Sequence, residues 1–204
     1  MKIVLLFHFM LLLAVAAGCS GERTAQADVP VDMIELEIID SIGVEMGDSN
    51  YVLGAIEGAA FGSRGEIMVL DRSAACIMVY DQSGEFLARI SRRGTAPGEL
   101  ENPISFAVLG DGRICVCDPW RGGIMTWLPD YSFEGVKIPV SENAPALMQG
   151  ASDSGFVAGQ VGYSFSGDDI IASVRFVRYD LAPEPSRVYM ENSFTFDFMD
   201  LTNT

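Results

Sequence analysis

The sequence is poor in histidine and lysine, and this scarcity excludes several kinds of chemistry. Its only histidine, His8, lies in an apolar N-terminal stretch that we predict to be removed, so the mature chain would contain none. Without histidine a chain cannot build a Ser-His-Asp or Cys-His catalytic site, nor a His-ligated zinc or haem centre. The mature chain keeps one lysine, Lys137, so general acid–base chemistry would otherwise need Asp, Glu or Tyr.

Positive charge is scarce as well. The chain has 13 Lys and Arg against 28 Asp and Glu, which gives a net charge of −15. Because phosphate contacts need clustered basic side chains, this balance argues against nucleic acid as a partner and against electrostatic docking on anionic lipid. With 49% hydrophobic and 20% charged residues over a length of 204, the composition predicts a globular chain of one domain or two small ones.

Cysteine is also infrequent, with three residues after Cys19. Cys115 and Cys117 are two residues apart in an apolar run, so they share one face of a predicted strand and do not reach disulfide geometry. The odd count and the lack of a second thiol pair argue against a zinc site. We expect buried free thiols; a disulfide from Cys76 to one of the other two is the alternative.

The first 18 residues are predicted to be a signal peptide. Lys2 is a short positive region, and residues 3–17 are apolar apart from His8, a run too short for a comfortable membrane span. The segment AAGC at 16–19 resembles a bacterial lipobox, in which the peptide is cut before the Cys and the thiol receives a diacylglyceryl group. An ordinary secretory signal cut nearby is the alternative.

The lipobox resemblance implies that acylated Cys19 binds the chain to a bilayer, where acyl chains contribute about 0.8 kcal/mol per buried methylene. Residues 19–32 are small and polar and read as a tether, which leaves 33–204 for the folded domain. Ser20 is not an acidic retention signal. We therefore expect an outer-membrane lipoprotein of the cell envelope, facing the periplasm or the exterior.

An internal repeat predicts the fold. The segment GEIMVLD at 65–71 matches GRICVCD at 112–118 with a shift of 47 residues, and the same shift places Tyr80 on Trp127. Residues 155–159 and 176–180 form a weaker third copy, separated by a longer stretch that we interpret as an inserted loop or hairpin extension. Helical periodicity is scarce, and short apolar runs between turn residues are frequent. A period of 40–50 residues with four strands each predicts an all-β, propeller-like chain of about three to four blades.

The segment SGEFLARI at 83–90, followed by RGTAPGEL at 93–100, resembles an NHL-type repeat. It is similar to the six-bladed β-propeller lipoproteins of Gram-negative bacteria, and the resemblance covers roughly residues 33–140. The resemblance implies a propeller built from antiparallel sheets. Because six blades would need about twice this length, we expect a partial propeller, either truncated or half of a ring.

Five residues are candidates for a site. Cys19 is the lipidation residue. Trp120 breaks the repeat beside Arg121, and an exposed aromatic next to Arg suits recognition of a partner. Asp168 and Asp169 are a weak candidate for binding a cation such as Ca²⁺, with a solvated loop as the alternative. No catalytic residue and no other cofactor is predicted.

The recurring Asp71 and Asp118 are interpreted as turn carboxylates that accept backbone N–H groups. Rim carboxylates that bind a cation are the alternative. The predicted function is a lipid-anchored, extracytoplasmic propeller that binds an unidentified protein or small-molecule ligand without catalysis. The alternative is a metal-dependent propeller hydrolase or lyase that uses channel carboxylates.

Overall fold

The structure, a computed structural model, describes residues 37–38, 40–139, 144–166, 169–182 and 184–197. The predicted signal peptide (1–18), the tether (19–32), Cys19 and Asp168 lie outside these residues. A short 3-10 helix at Pro119–Arg121 is the only helical element that the described ranges contain. No helix in this part of the chain is both long and apolar enough to cross a membrane.

Within the described residues, twelve strands form three antiparallel sheets of four strands each, and each sheet runs in chain order. We call these sheets blade 1, blade 2 and blade 3. The chain is all-β and propeller-like. Blade 1 consists of β1 (Ile56–Phe61), β2 (Ile67–Asp71), β3 (Cys76–Tyr80) and β4 (Phe86–Ile90). Blade 2 consists of β5 (Ser105–Val108), β6 (Ile114–Asp118), β7 (Gly123–Trp127) and β8 (Phe133–Pro139), and blade 3 of β9 (Pro145–Ser152), β10 (Gly155–Ser166), β11 (Asp169–Tyr179) and β12 (Arg187–Asp197).

The 47-residue repeat is confirmed by the register of the sheets. Ile67 pairs with Tyr80 in blade 1, and Ile114 pairs with Trp127 at the same place in blade 2. The turns before β2 and β6 contain Gly65 and Gly112, whose φ angles of 84° and 85° suit glycine because it lacks a Cβ atom. The repeated Gly therefore marks the same tight turn in both blades.

Blade 3 follows the same plan with longer strands. Phe156 pairs with Tyr179, in the position of the two pairs above, and the ladder then continues to Ser166 and Asp169. The stretch between the two halves of the third repeat is therefore a hairpin extension, the second of the two forms expected from the sequence. The last strand, β12, pairs with β11 along its length.

The blades pack face to face through two apolar cores. The first joins blades 1 and 2, and its larger members are Met68, Leu70, Ile77, Val79, Phe106, Ile114, Val116, Met125 and Trp127. The second joins blades 2 and 3, and its members include Leu109, Cys115, Cys117, Ile124, Ile138, Phe156, Val177 and Tyr179. Because neighbouring residues of a strand point to opposite faces, β6 supplies both cores. Each large apolar side chain buried this way contributes about 1.5–3 kcal/mol.

Trp127 is 2% exposed and packs against Phe133, with the ring centroids 5.3 Å apart. Tyr80, its counterpart in blade 1, is fully buried. The two side chains that the repeat aligns are therefore both buried in the core. The aromatic position of the third strand is a packing position in both blades.

Candidate functional site

The first strand of each blade, β1, β5 and β9, borders a groove that we call the axial groove. Two contacts join these strands: Gly58 lies under the Phe106 ring, with 3.5 Å between the ring and the position of an added Cβ, and the Ser105 hydroxyl donates to the Pro145 carbonyl at 2.5 Å. The groove has a volume of about 270 Å³ and is lined by residues 59–61, 106–108 and 148–150.

The side chains that line the axial groove are mostly apolar, but polar atoms contribute the larger share of its surface. Phe61 is 76% exposed, and Val108 and Met148 are half-buried, while Gln149 adds an amide. A second cavity of about 350 Å³ shares Phe61 with the axial groove. Ser63 is among the other residues that line this cavity. Concave sites that combine apolar side chains with polar groups are typical of sites that bind small molecules.

The carboxylates that repeat through the blades bind backbone rather than line the axial groove. Asp71, at the end of β2, accepts the N–H groups of Gly54 at 2.7 Å and Ala55 at 3.2 Å. On its other side it accepts the Ser73 hydroxyl at 2.7 Å and the Ala74 N–H at 3.1 Å. The carboxylate therefore joins the chain that leads into β1 to the turn that follows β2. This confirms the predicted turn role.

Asp118 makes the equivalent bonds in blade 2. It accepts the N–H groups of Glu101 at 2.7 Å and Asn102 at 3.0 Å, in the chain leading to β5. It also accepts those of Trp120 at 3.1 Å and Arg121 at 3.3 Å, which begins the 3-10 helix. The repeat of this carboxylate along the sequence is therefore explained by a repeated backbone clamp.

The clamp shifts the acidity of Asp71. Burial raises the pKa of this carboxyl, but the hydrogen bonds from the Gly54 N–H, the Ser73 hydroxyl and two further N–H groups outweigh it and lower the pKa to about 2. The side chain is therefore ionised at neutral pH although it is buried. A carboxylate whose acceptor positions are filled by backbone N–H groups is poorly placed to hold a metal ion as well.

Trp120 and Arg121, the predicted recognition pair, lie side by side but differ in their contacts. The Arg121 guanidinium donates to the carbonyls of Thr95 at 2.6 Å, Ala96 at 3.2 Å and Glu99 at 3.3 Å. Its charge is thus used to hold the loop between the first two blades. The Trp120 side chain is 69% exposed, so it is available to a partner, and its recognition role stays a prediction.

Asp169, of the predicted acidic pair, begins β11 and lies opposite Ser166 and Asp197 in the two neighbouring strands. Its partner in that prediction, Asp168, lies outside the described residues. Within the described ranges, no group of three or more His, Cys, Asp or Glu side chains is close enough together to hold a metal ion. The cation site at this pair stays a prediction.

Sequence reasoning missed a cluster that contains Glu66. The Glu66 carboxylate accepts the Arg64 guanidinium at 2.6 Å and the Tyr131 hydroxyl at 3.3 Å, and Arg64 also donates to that hydroxyl at 3.1 Å. The burial of Glu66 raises the pKa of its carboxyl group. Hydrogen bonds from its own backbone N–H and from Arg64 lower this pKa by more than burial raises it, so the net shift is downward. The cluster links a turn of blade 1 to a turn of blade 2.

A cavity of about 610 Å³ lies beside this cluster in blade 1. It is lined by Arg64, Gly65, Glu66, Asp81, Gln82, Ser83 and Leu87. Much of its polar lining is used internally, since Asp81 accepts the Ser83 hydroxyl at 2.7 Å and its N–H at 2.8 Å. The turn signals at Gly65 and Asp81 were visible in the sequence, but the pairing of Glu66 with a residue 65 positions away was not.

The three cysteines of the described residues are buried and unpaired, as expected for free thiols. Burial raises the pKa of Cys76 to about 11 and those of Cys115 and Cys117 to about 12. The alternative disulfide from Cys76 is absent. None of the three is placed to act as a nucleophile, because the reactive form is the thiolate.

A family model described as a 6-bladed beta-propeller matches residues 48–152, just over half of the 204 residues. The chain belongs to this six-bladed β-propeller family. The match includes blades 1 and 2 completely and ends at the last residue of β9, the first strand of blade 3. The sequence resemblance to six-bladed propellers is thereby confirmed. A search of curated proteins finds no match.

Solved structures of similar fold share little sequence with the chain. A protein from Bacteroides fragilis is 20% identical with a TM-score of 0.45, and the match covers 74% of this chain and 41% of that one. A catalytically inactive virginiamycin B lyase from Staphylococcus aureus, solved with quinupristin, is 13% identical with a TM-score of 0.42, covering 63% and 50%. A protein from Bacteroides caccae is 12% identical with a TM-score of 0.36, covering 67% and 60%. The chain thus spans about half the length of these structures.

Proposed function

We propose that this chain is a lipid-anchored, extracytoplasmic propeller module that binds a small molecule or a protein and does not catalyse a reaction. The observation that carries the proposal is the axial groove, which is built from the first strands of three blades and combines mostly apolar side chains with exposed polar atoms. The repeated carboxylates support it too, because they bind backbone N–H groups instead of converging on the groove. The lining offers surface for binding but few groups for proton transfer.

Trp120 is the proposed contact residue for a protein partner. Its backbone N–H is held by Asp118, and the ring is largely exposed. A large aromatic side chain on a fixed backbone loses little conformational entropy on binding, which makes it an effective contact residue. The axial groove and Trp120 therefore suit different ligands, and the test must separate them.

A ligand-observed NMR screen of peptidoglycan fragments, envelope lipids and short peptides would test the binding role. Hits in the axial groove should weaken about tenfold or more in Phe61→Ser and Gln149→Ala chains, because these residues line it. The affinity of ligands that bind at the exposed Trp120 side chain should fall in a Trp120→Ala chain. Met46→Ser is the control, since Met46 is an exposed apolar residue that lines none of the cavities described above. Hits that none of the first three variants weakens would contradict the proposal.

The lipid anchor is proposed from the segment AAGC at 16–19, which places Cys19 after three small residues. Expression in a Gram-negative host with labelled palmitate should label the chain and bring it into the outer-membrane fraction. A Cys19→Ser chain should take up no label and remain soluble in the periplasm. Equal labelling of both chains would remove the anchor from the proposal and leave the propeller and its groove unaffected.

A further inference from the structure

The connector between blades 1 and 2, residues 91–104, and the turn after β6 form one continuous surface. The Asp118 carboxylate accepts the Trp120 N–H of the turn at 3.1 Å and the Glu101 N–H of the connector at 2.7 Å. The Glu101 carbonyl in turn accepts the Arg93 guanidinium at 2.5 Å. Blades 1 and 2 pack on each other through the first core, so both blades beside this surface are in place. We call it the connector face, made of Arg92, Arg93, Trp120 and Arg121.

Two side chains of the connector face depart from the repeat. The shift of 47 residues aligns Trp120 with Ser73 and Arg121 with Ala74. The same clamped turn forms in blade 1, where the Ala74 N–H is held at 3.1 Å. Small residues at both positions are therefore enough for the turn. The bulk of Trp120 serves no need of this clamp, and its side chain is 69% exposed.

The guanidinium groups of the connector face keep most of their positive charge. Arg93 and Arg121 donate to backbone carbonyls, and neither takes part in an ion pair among the described residues. A carbonyl oxygen satisfies a donor but carries no net charge, so it does not neutralise the group. Arg92 pairs with Glu99, and its own side chain is 81% exposed.

The acidic side chains beside the connector face are turned away from solvent. Asp118 is buried and binds backbone N–H groups. Glu99 is 16% exposed and also accepts the Ala96 N–H at 2.9 Å, while Glu101 is half-buried. The charge that faces solvent here is therefore mainly positive, although the chain as a whole carries −15. Exposed charges more than about 8 Å away are largely screened at physiological ionic strength, so acids elsewhere do not cancel it.

We infer that the connector face binds an acidic segment of a partner protein, with carboxylates on the guanidinium groups and an apolar side chain against the Trp120 ring. Trp and Arg are enriched among the residues that carry the binding energy of protein interfaces. Guanidinium groups bind carboxylates through strong charge-assisted hydrogen bonds. An extended polyanion such as nucleic acid fits less well, because the acidic remainder of the chain repels it. The inference rests on the proposed function, since it names the chemistry of the partner that contacts Trp120.

Fluorescence anisotropy with a labelled peptide rich in Glu and interspersed with Leu would test the inference on the Cys19→Ser chain. The same peptide with Gln in place of Glu is the matched probe. The acidic peptide should bind about tenfold or more tightly than the Gln peptide. Its affinity should fall as NaCl is raised, because salt screens exposed charges. Equal affinity for the two peptides, or no binding of the acidic one, would overturn the inference.

Variants assign the binding to the connector face. Trp120→Ala should weaken the acidic peptide about tenfold, and Arg92→Gln should weaken it less and reduce the salt dependence. Arg187→Gln is the matched control, because Arg187 is exposed and lies 5.1 Å from the Tyr189 ring in blade 3. Its affinity for the peptide should be unchanged. An equal loss in the control would overturn the assignment to this face, and circular dichroism checks that each variant is folded.

The outcomes separate this inference from the proposed function. If the acidic peptide does not bind, but Trp120→Ala weakens uncharged ligands from the NMR screen, the inference fails and Trp120 remains a contact residue. If the screen and both peptides give no binding, the proposed function fails with it. Tighter binding of single-stranded DNA than of the acidic peptide would overturn the choice of a protein partner.

Discussion

Asp71 and Asp118 are buried acids, and burial of a charge is costly unless hydrogen bonds compensate for it. In both blades the compensation comes from backbone N–H groups on two separate segments. Each carboxylate thus satisfies donors that short turns would otherwise leave unpaired. The alternative role as rim ligands for a cation is not supported by these contacts, since the acceptor positions are used.

Replacing Asp71 by Asn should destabilise the protein in a pH-dependent way. The native pKa of about 2 lies below the ordinary 3.8, so the carboxylate stabilises the fold above pH 4 and loses this contribution as the pH falls toward 2. We expect Asp71→Asn to cost about 2 kcal/mol at pH 7, with the difference shrinking below pH 4. Urea denaturation at pH 7 and pH 3 measures this.

Asp48→Asn is the control for that experiment. Asp48 is exposed, and its carboxylate accepts the Asn50 N–H in a local turn. The variant should change the free energy of unfolding by less than about 0.5 kcal/mol. Equal losses of unfolding free energy in the two variants would contradict the stabilising role of the Asp71 hydrogen bonds.

The buried thiols should be inert in the native protein. Since burial raises the pKa values of Cys76, Cys115 and Cys117 to about 11–12, the reactive thiolate is scarce at pH 8. In a Cys19→Ser chain, Ellman's reagent should react with no thiol until guanidinium unfolds the protein, and then with three. Fast reaction of the folded chain would contradict the placement of these residues.

At the scale of elements, the connector between blades 1 and 2 is fixed by arginines from its two sides. Arg93 donates to the carbonyls of Glu101 at 2.5 Å and of Arg72 and Ser73 at 3.1 Å each. Arg121 holds the same connector from blade 2. Arg93, directly before Gly94, therefore ties the connector to the turns beside it.

Arg93→Ala should lower stability more than Arg92→Ala. The first removes donors to three carbonyls, and we expect a loss of about 1–2 kcal/mol. Arg92 makes one exposed ion pair, with Glu99 at 2.7 Å, and such pairs contribute less than about 1 kcal/mol. Thermal unfolding measures the loss of stability in both variants, whose changes lie at neighbouring residues of the same loop. A larger loss from Arg92→Ala would contradict the role given to Arg93.

At the scale of the whole molecule, stability should differ between the blades. Blade 2 is packed on both faces, and β6 and β7 are buried along their full length. Blade 3 is packed on one face, and its hairpin extends beyond that contact. Local opening needs less free energy where fewer apolar contacts are lost.

Hydrogen exchange should show this order directly. The amides of Ile114–Asp118 and Gly123–Trp127 should exchange most slowly. Those of β10 and β11 beyond Gly162 should exchange much faster. Uniform protection across the three blades would contradict the expected order.

The sequence by itself determined the repeating unit, because its signals are local. A glycine with positive φ and an Asp that accepts nearby N–H groups act within a few residues, so their recurrence at 65–71 and 112–118 located the blades. The same alignment identified the aromatic position at the end of the third strand of each blade. The free state of the three later cysteines was predicted from their number and spacing and is confirmed.

Tertiary structure alone decided which residues meet across blades. Glu66 reaches Tyr131, 65 residues away, and Arg121 reaches Thr95; neither contact leaves a periodic trace in the sequence, because each depends on how two sheets stack. The same holds for the apolar side chains of blade 3. Their alternation predicts a strand, but only the stacking order shows which face packs inside and which remains exposed, since both faces of an inner blade are apolar.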